Sequence, residues 1–168
     1  LEVAGQECPA RGKQEEDAKE YVLSDVSFHI NAGETVGIIG QTGAAKSTLI
    51  QLIPRLYDVS RGEVRIDGVP VRQYPMAHLR DAIAVVLQKN TLFSGSLLDN
   101  LKWGKEDATM EEVEEACRIA CVDEFIDRLA DGYHTEMGQG GVNVSGGQKQ
   151  RLCIARAILK TPKVLILD

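Results

Sequence analysis

Residues 40–47 read Gly40-Gln41-Thr42-Gly43-Ala44-Ala45-Lys46-Ser47, between a short apolar run at 35–39 and a helix-like stretch from Lys46. No other feature limits the fold so strongly. A strand that ends in a glycine-rich turn and re-enters as a helix belongs to an α/β unit, with the loop's backbone N–H groups turned inward. The helix N-terminus adds partial positive charge, so the turn suits an anion. Lys46 reaches toward the outer phosphates of a nucleotide, and the Ser47 hydroxyl is placed to ligate Mg²⁺. The segment departs from the pattern G-x-x-x-x-G-K-[ST] at one position, where Ala45 replaces the second glycine. If that position needs positive φ, the methyl group costs ~1–2 kcal/mol. Taken alone, the segment is also compatible with an ordinary glycine-rich strand–helix turn.

The rest of the chain alternates strands and helices. Residues 1–20 are polar and aperiodic, with Gly5, Pro9 and Gly12 as breakers, and read as a linker or disordered arm. Val26, Phe28 and Ile30 then alternate with Ser27 and His29, the period of a half-buried strand. Val64 and Ile66 alternate with Arg65 ahead of Asp67-Gly68, which predicts a hairpin with 69–71. A helix is expected at 76–82 and a buried strand at 83–87. Residues 96–130 read as several helices, among them 108–120, with Val113, Ala116, Cys117 and Ala120 on one face, and 123–129. A long helix capped by Ser145 ends near Lys160, where Thr161-Pro162 stops it, and 164–167 is a last buried strand before Asp168. The fold class is α/β with a mainly parallel core, a small N-terminal antiparallel β part and an inserted helical subdomain at about 89–147; the folded domain spans 21–168.

Composition excludes several classes. A net charge of -6 argues against general affinity for nucleic acid. Cys8, Cys117, Cys121 and Cys153 show neither a disulfide framework nor a four-ligand zinc spacing. Cys117 and Cys121 read as two small buried residues, and a reducing compartment is the default. No stretch approaches the ~20 apolar residues of a membrane-spanning helix, and the N-terminus is unlike a signal peptide.

A second segment, Val144-Ser145-Gly146-Gly147-Gln148, frees the backbone at a helix start and makes another N-terminal anion site. A plain helix start accounts for the serine but not for the Gly-Gly-Gln run. Arg151 and Arg156 follow, five apart, pointing away from each other; they read as solvated or locally paired.

These residues together resemble the ATP-binding cassette (ABC) family. The run from Val144 to Arg151 looks like the ABC signature, and 40–47 looks like the Walker A loop. Gln88 is similar to the Q-loop glutamine, 164–168 to the Walker B strand with its aspartate, and 135–141 to the X-loop of exporters. The resemblance covers about 22–168. It implies a P-loop NTPase (RecA-like) core whose remaining C-terminal strands lie beyond Asp168. It implies that Gly40, Thr42, Gly43, Ala44, Ala45, Lys46, Ser47 and Thr48 bind ATP. Ser47, Gln88 and Asp168 would surround Mg²⁺, with Gln88 and Asp168 as catalytic residues. Ser145, Gly146, Gly147 and Gln148 would contact the ATP bound by a second cassette. The resemblance further implies transmembrane domains as partners and the cytoplasmic face of a bacterial plasma membrane as location, with no nucleic acid partner. The stretch at 101–109 looks like exporters that pair as heterodimers, so a heterodimer is favoured over a homodimer.

Three departures qualify the likeness. The position at which a glutamate normally follows the Walker B aspartate lies past Asp168, so no water-positioning base is assigned and little turnover is expected from these 168 residues. Tyr21, directly beside Val22-Leu23, reads as a packing residue rather than an adenine stack. Ala45 replaces glycine. Beside the exporter ATPase stand a cassette that binds ATP and dimerises with little hydrolysis, a soluble ABC-type ATPase acting on nucleic acid, and an unstable fragment.

Overall fold

The computed structural model describes residues 1–9, 21–138, 141 and 143–168, with nothing said of the side chains of residues 4–9. Two compact units form, Leu1–Arg80 and Asp81–Asp168.

The first unit carries a four-stranded sheet in the order β2-β1-β3-β4. Its strands are β1 (Glu2–Pro9), β2 (Tyr21–His29), β3 (Arg61–Ile66) and β4 (Val69–Pro70), all paired antiparallel. The linker expected over 1–20 is therefore wrong for its first part. Val3 is 1% exposed opposite Phe28 and Val64, and the N-terminal amine donates to Ile30 O at 2.9 Å. A polar strand forms because neighbouring edges supply backbone partners, which composition does not register. Residues 10–20 of the expected arm lie outside the described residues. In β2, Val26 and Phe28 are half-buried and Ser27 and His29 exposed, the alternation the sequence predicts. The expected hairpin at Asp67-Gly68 is present, with φ 52° and 74° at its two central residues.

Helix α1 (Lys46–Leu52) buries Leu49, Ile50 and Leu52. A one-turn 3₁₀ segment (Val71–Gln73) and α2 (Met76–Asp81) follow. The strand expected at 35–39 is not one: the segment carries no strand pairing among the described residues, and Val36, Ile38 and Ile39 are 51%, 42% and 98% exposed. An apolar run has the potential to be a central strand, but only neighbouring strands make it one.

The second unit begins with β5 (Ile83–Val86), which pairs in parallel with β8 (Val164–Leu167). Between them run β6 (Gly95–Ser96), α3 (Leu97–Lys102), α4 (Met110–Ile119), α5 (Asp123–Ile126), a 3₁₀ turn (Gly132–His134), β7 (Glu136–Met137) and α6 (Gly146–Leu159). The helix expected over 123–129 is one turn long. Leu97, Leu101, Val113, Cys117, Val122, Leu152 and Ala155 form the helical core. Three helices open with reciprocal capping boxes: Ser96 with Asp99, Thr109 with Glu112, and Ser145 with Gln148. Cys121 corrects the sequence reading. It falls beyond the last turn of α4 at φ 54° and is exposed, while Cys117 is buried.

Candidate functional site

Three pieces of chemistry were expected, and the structure gives each a local form. In the first unit, the loop 40–47 is open to solvent along Gly40, Gln41, Thr42, Gly43, Ala44 and Ser47. Gly43 has φ 85°, and Ala45 has φ 58° and ψ 21°, both left-handed. The condition set by the sequence is met: this position demands positive φ, and a residue with a Cβ occupies it. A Cβ on Gly40 would stand 3.3 Å from the Ala44 Cβ, so the loop closes tightly there. Lys46 folds back over the loop, and its Nζ donates to Gly40 O and Gln41 O, each at 2.8 Å. The ammonium is held at the loop mouth by two carbonyls. The turn that follows is α1, whose buried Leu49 and Leu52 anchor the loop.

In the second unit, β5 and β8 run in register from Ile83↔Val164 to Val86↔Leu167. Gln88 and Asp168 therefore emerge together from the carboxyl end of a parallel pair, and Asp168 N–H donates to Val86 O at 2.9 Å. Both side chains lie on exposed residues. Ligands of open α/β sheets bind beyond this end of the strands. Gln88 and Asp168 offer an amide carbonyl and a carboxylate, oxygen donors of the kind Mg²⁺ takes.

The third piece is the start of α6. Ser145, Gly146 and Gly147 are exposed, and a Cβ on either glycine would meet nothing within 4 Å. Ser145 Oγ accepts from Gln148 N–H at 3.2 Å, and Gln148 Oε1 accepts from Ser145 N–H at 2.8 Å. Gln148 thus fixes the geometry of the helix start, where the first N–H groups have no intrahelical partner. Of the segment 135–141, Gln139 and Gly140 lie outside the described residues.

Several side chains were not singled out from the sequence, or were read too plainly. Arg151 pairs with Glu124 and donates to Cys121 O at 2.8 Å, which is the local pairing expected of it. Arg156 instead reaches Asn100 and Thr91. Asn100 is 3% exposed, the one buried polar residue among the described residues. Its signal was legible: it shares the core-facing stripe of α3 with Leu97 and Leu101. Phe93 and Trp103 stack with centroids 4.2 Å apart and planes 13° off parallel, both exposed. Beside them lies a cleft of about 270 Å³ lined by Val86, Leu87, Asn90, Trp103, Arg156 and Lys160. Tyr21 lies under the Arg61 guanidinium, 5.8 Å from its ring centroid.

The family model described as ABC transporter matches residues 23–168. The chain is 49% identical over 146 residues to an uncharacterized ABC transporter ATP-binding protein, YfiB, of Bacillus subtilis, covering 87% of this chain and 26% of that protein. It is 46% identical over 147 residues to the ATP-dependent lipid A-core flippase of Legionella pneumophila, covering 88% of this chain and 25% of the flippase. The chain thus spans about a quarter of the length of these curated relatives. A solved bacterial Atm1-family ABC exporter with ATP bound superposes with a TM-score of 0.89 at 35% identity, over 99% of this chain and 28% of that one. The fold is therefore that of an α/β P-loop NTPase.

Proposed function

The chain belongs to the ABC transporter family, and from that premise we propose that it is the ATP-binding cassette of an exporter, with residues 21–168 as one cassette and 89–147 as its helical subdomain. The observation that carries the reading is the exposed loop 40–47, with left-handed backbone at Gly43 and Ala45 and the Lys46 ammonium held over its mouth. Such a loop binds polyphosphate through preorganised N–H groups and one point charge. Gly40, Thr42, Gly43, Ala44, Ala45 and Lys46 bind the phosphates of ATP; Ser47 and Thr48 close the set at the first turn of α1. Ser47 at the loop, and Gln88 and Asp168 at the end of the parallel pair, are the residues that would ligate Mg²⁺, which would neutralise phosphate charge.

Hydrolysis belongs to a pair of cassettes. The exposed start of α6, with Ser145, Gly146 and Gly147, supplies a second set of donors to a triphosphate bound on a companion cassette, and Gln148 locks that helix start in shape. ATP is then shared between two chains, and its binding energy favours the closed pair over the open one. Whether the companion is a copy or a different cassette, we favour the latter. Gln88, just past the carboxyl end of β5, reports the phosphate's presence to the surface that follows it. That surface, with the stacked Phe93 and Trp103 and the adjoining cleft, faces the transmembrane partner at the cytoplasmic side of the membrane.

Ala45 favours a second reading, a cassette that holds ATP with little turnover, because its left-handed backbone is strained. One experiment tests the premise common to both. Mg-ATP binding is measured by calorimetry on the unaltered chain and on Lys46→Ala. Loss of a charge-assisted contact of ~1.5–3 kcal/mol should weaken binding roughly 10- to 100-fold. Equal affinity in the two proteins removes the loop from the site. Steady-state phosphate release in the presence of a companion cassette then separates the ATPase from the holding cassette.

A further inference from the structure

We propose that Arg156 is a positioning residue that makes the exposed Phe93–Trp103 platform move as one body with α6, the helix that begins at the Ser145 cap. The inference deepens the cassette reading and rests on it.

The network lies wholly within the second unit. Arg156 Nε donates to Asn100 O at 2.7 Å, Nη2 to Asn100 Oδ1 at 3.1 Å, and Nη1 to Thr91 O at 3.3 Å. Asn100 completes the circuit. Its Nδ2 donates to Phe93 O at 2.8 Å and Ser96 O at 3.0 Å, and its Oδ1 accepts from Phe93 N–H at 2.8 Å. The guanidinium lies 5.7 Å from the Phe93 ring centroid, within cation–π range. Phe93 stacks on Trp103. The next residue, Gly104, has no room for a Cβ, because the Arg156 carbonyl oxygen stands against it. One residue of α6 therefore pins both ends of the platform.

The joint is stiff for an electrostatic reason. Burial pulls the Arg156 pKa below the usual guanidinium range, yet arginine stays charged. A desolvated cation stripped of its acceptors would be left uncompensated, so it does not leave them. Core packing does not require such a joint here, since Phe93 and Trp103 are 39% and 66% exposed. An exposed aromatic pair held only by its own stacking would reorient freely. The network instead fixes a surface, and it fixes that surface to the helix whose first turn meets the companion's ATP. Gln88 lies three residues before Thr91, on the same connection.

Trp103 is the only tryptophan, so its emission and acrylamide quenching read the platform directly. The cassette is titrated with ATP while pairing is followed by sedimentation and Trp103 by fluorescence. In the unaltered chain, pairing is expected to shift Trp103 emission, and Ser145→Ala to lose pairing and shift together. Arg156→Lys keeps the charge and loses the planar fork. It is expected to pair at the same ATP concentration as the unaltered chain but without the Trp103 shift. Phe93→Leu, which leaves the polar network intact, serves if the arginine variant loses its far-UV circular dichroism; it too should pair without the shift. A Trp103 shift retained in Arg156→Lys or in Phe93→Leu overturns the proposal, as does a silent Trp103 in an unaltered chain that pairs. A chain that binds no ATP overturns the cassette reading, and the inference with it.

Discussion

Ala45 stands at φ 58° in a loop whose other left-handed residue is glycine. A methyl group there crowds the following carbonyl, a penalty of ~1–2 kcal/mol that glycine escapes. Ala45→Gly is expected to bind ATP more tightly by calorimetry and to melt higher; equal affinities would mean the loop already tolerates the strain. Gly104 shows the opposite constraint. Its virtual Cβ collides with the Arg156 backbone oxygen, whereas a Cβ on Gly147 would meet open space. Gly104→Ala should cost roughly 1–3 kcal/mol in urea unfolding, the range of overpacked sites. Gly147→Ala should leave stability within ~0.5 kcal/mol, because a methyl group there meets open space. A glycine held by packing and a glycine in open space look alike in sequence. Contact geometry separates them.

At the scale of elements, the second unit relies on helix starts. Glu112 closes the capping box of α4 by accepting from Thr109 N–H at 3.0 Å and also receives Lys105 Nζ at 2.6 Å. The lysine first, then the backbone donor, holds its carboxyl below the usual range. A carboxylate with a depressed folded pKa stabilises fully above its unfolded value, roughly 4.3 for glutamate, and loses that contribution as pH falls through the folded value. Glu112→Gln keeps an acceptor for the cap but no charge. Its melting temperature should therefore fall less steeply than that of the unaltered chain as the pH drops below about 4.3. The cap at Ser145 was legible because serine precedes a Gly-Gly-Gln run. Those at Ser96 and Thr109 follow the same serine-or-threonine spacing to an acidic residue and were equally open to reading. The strand expected at 35–39 was not. Its residues have the apolar character of a buried strand, but a strand is defined by ladder partners, and local sequence names none.

Across the whole molecule, the parallel pair β5–β8 is only two strands wide among the described residues, and Leu165 and Leu167 on one face of β8 are 44% and 61% exposed. Parallel sheets are ordinarily covered on both faces. The 168-residue chain is therefore expected to scatter light in a concentration-dependent way, and Leu167→Lys, a charge on an open strand, to reduce that scattering. Unchanged scattering would place the association elsewhere. The glycine-rich loop at 40–47, the helix start at Ser145, the strand leading to Asp168 and the family were all legible from sequence, because each is written in contiguous residues with a fixed backbone requirement. Tertiary structure alone decided that Glu2–Pro9 pairs as a strand, that Gln88 and Asp168 leave the same end of one parallel pair, and that Arg156 closes on Asn100 and Thr91. Those contacts join residues up to 81 positions apart, and hydrogen-bond partners at that range are chosen by the packing of whole elements, which no local pattern encodes.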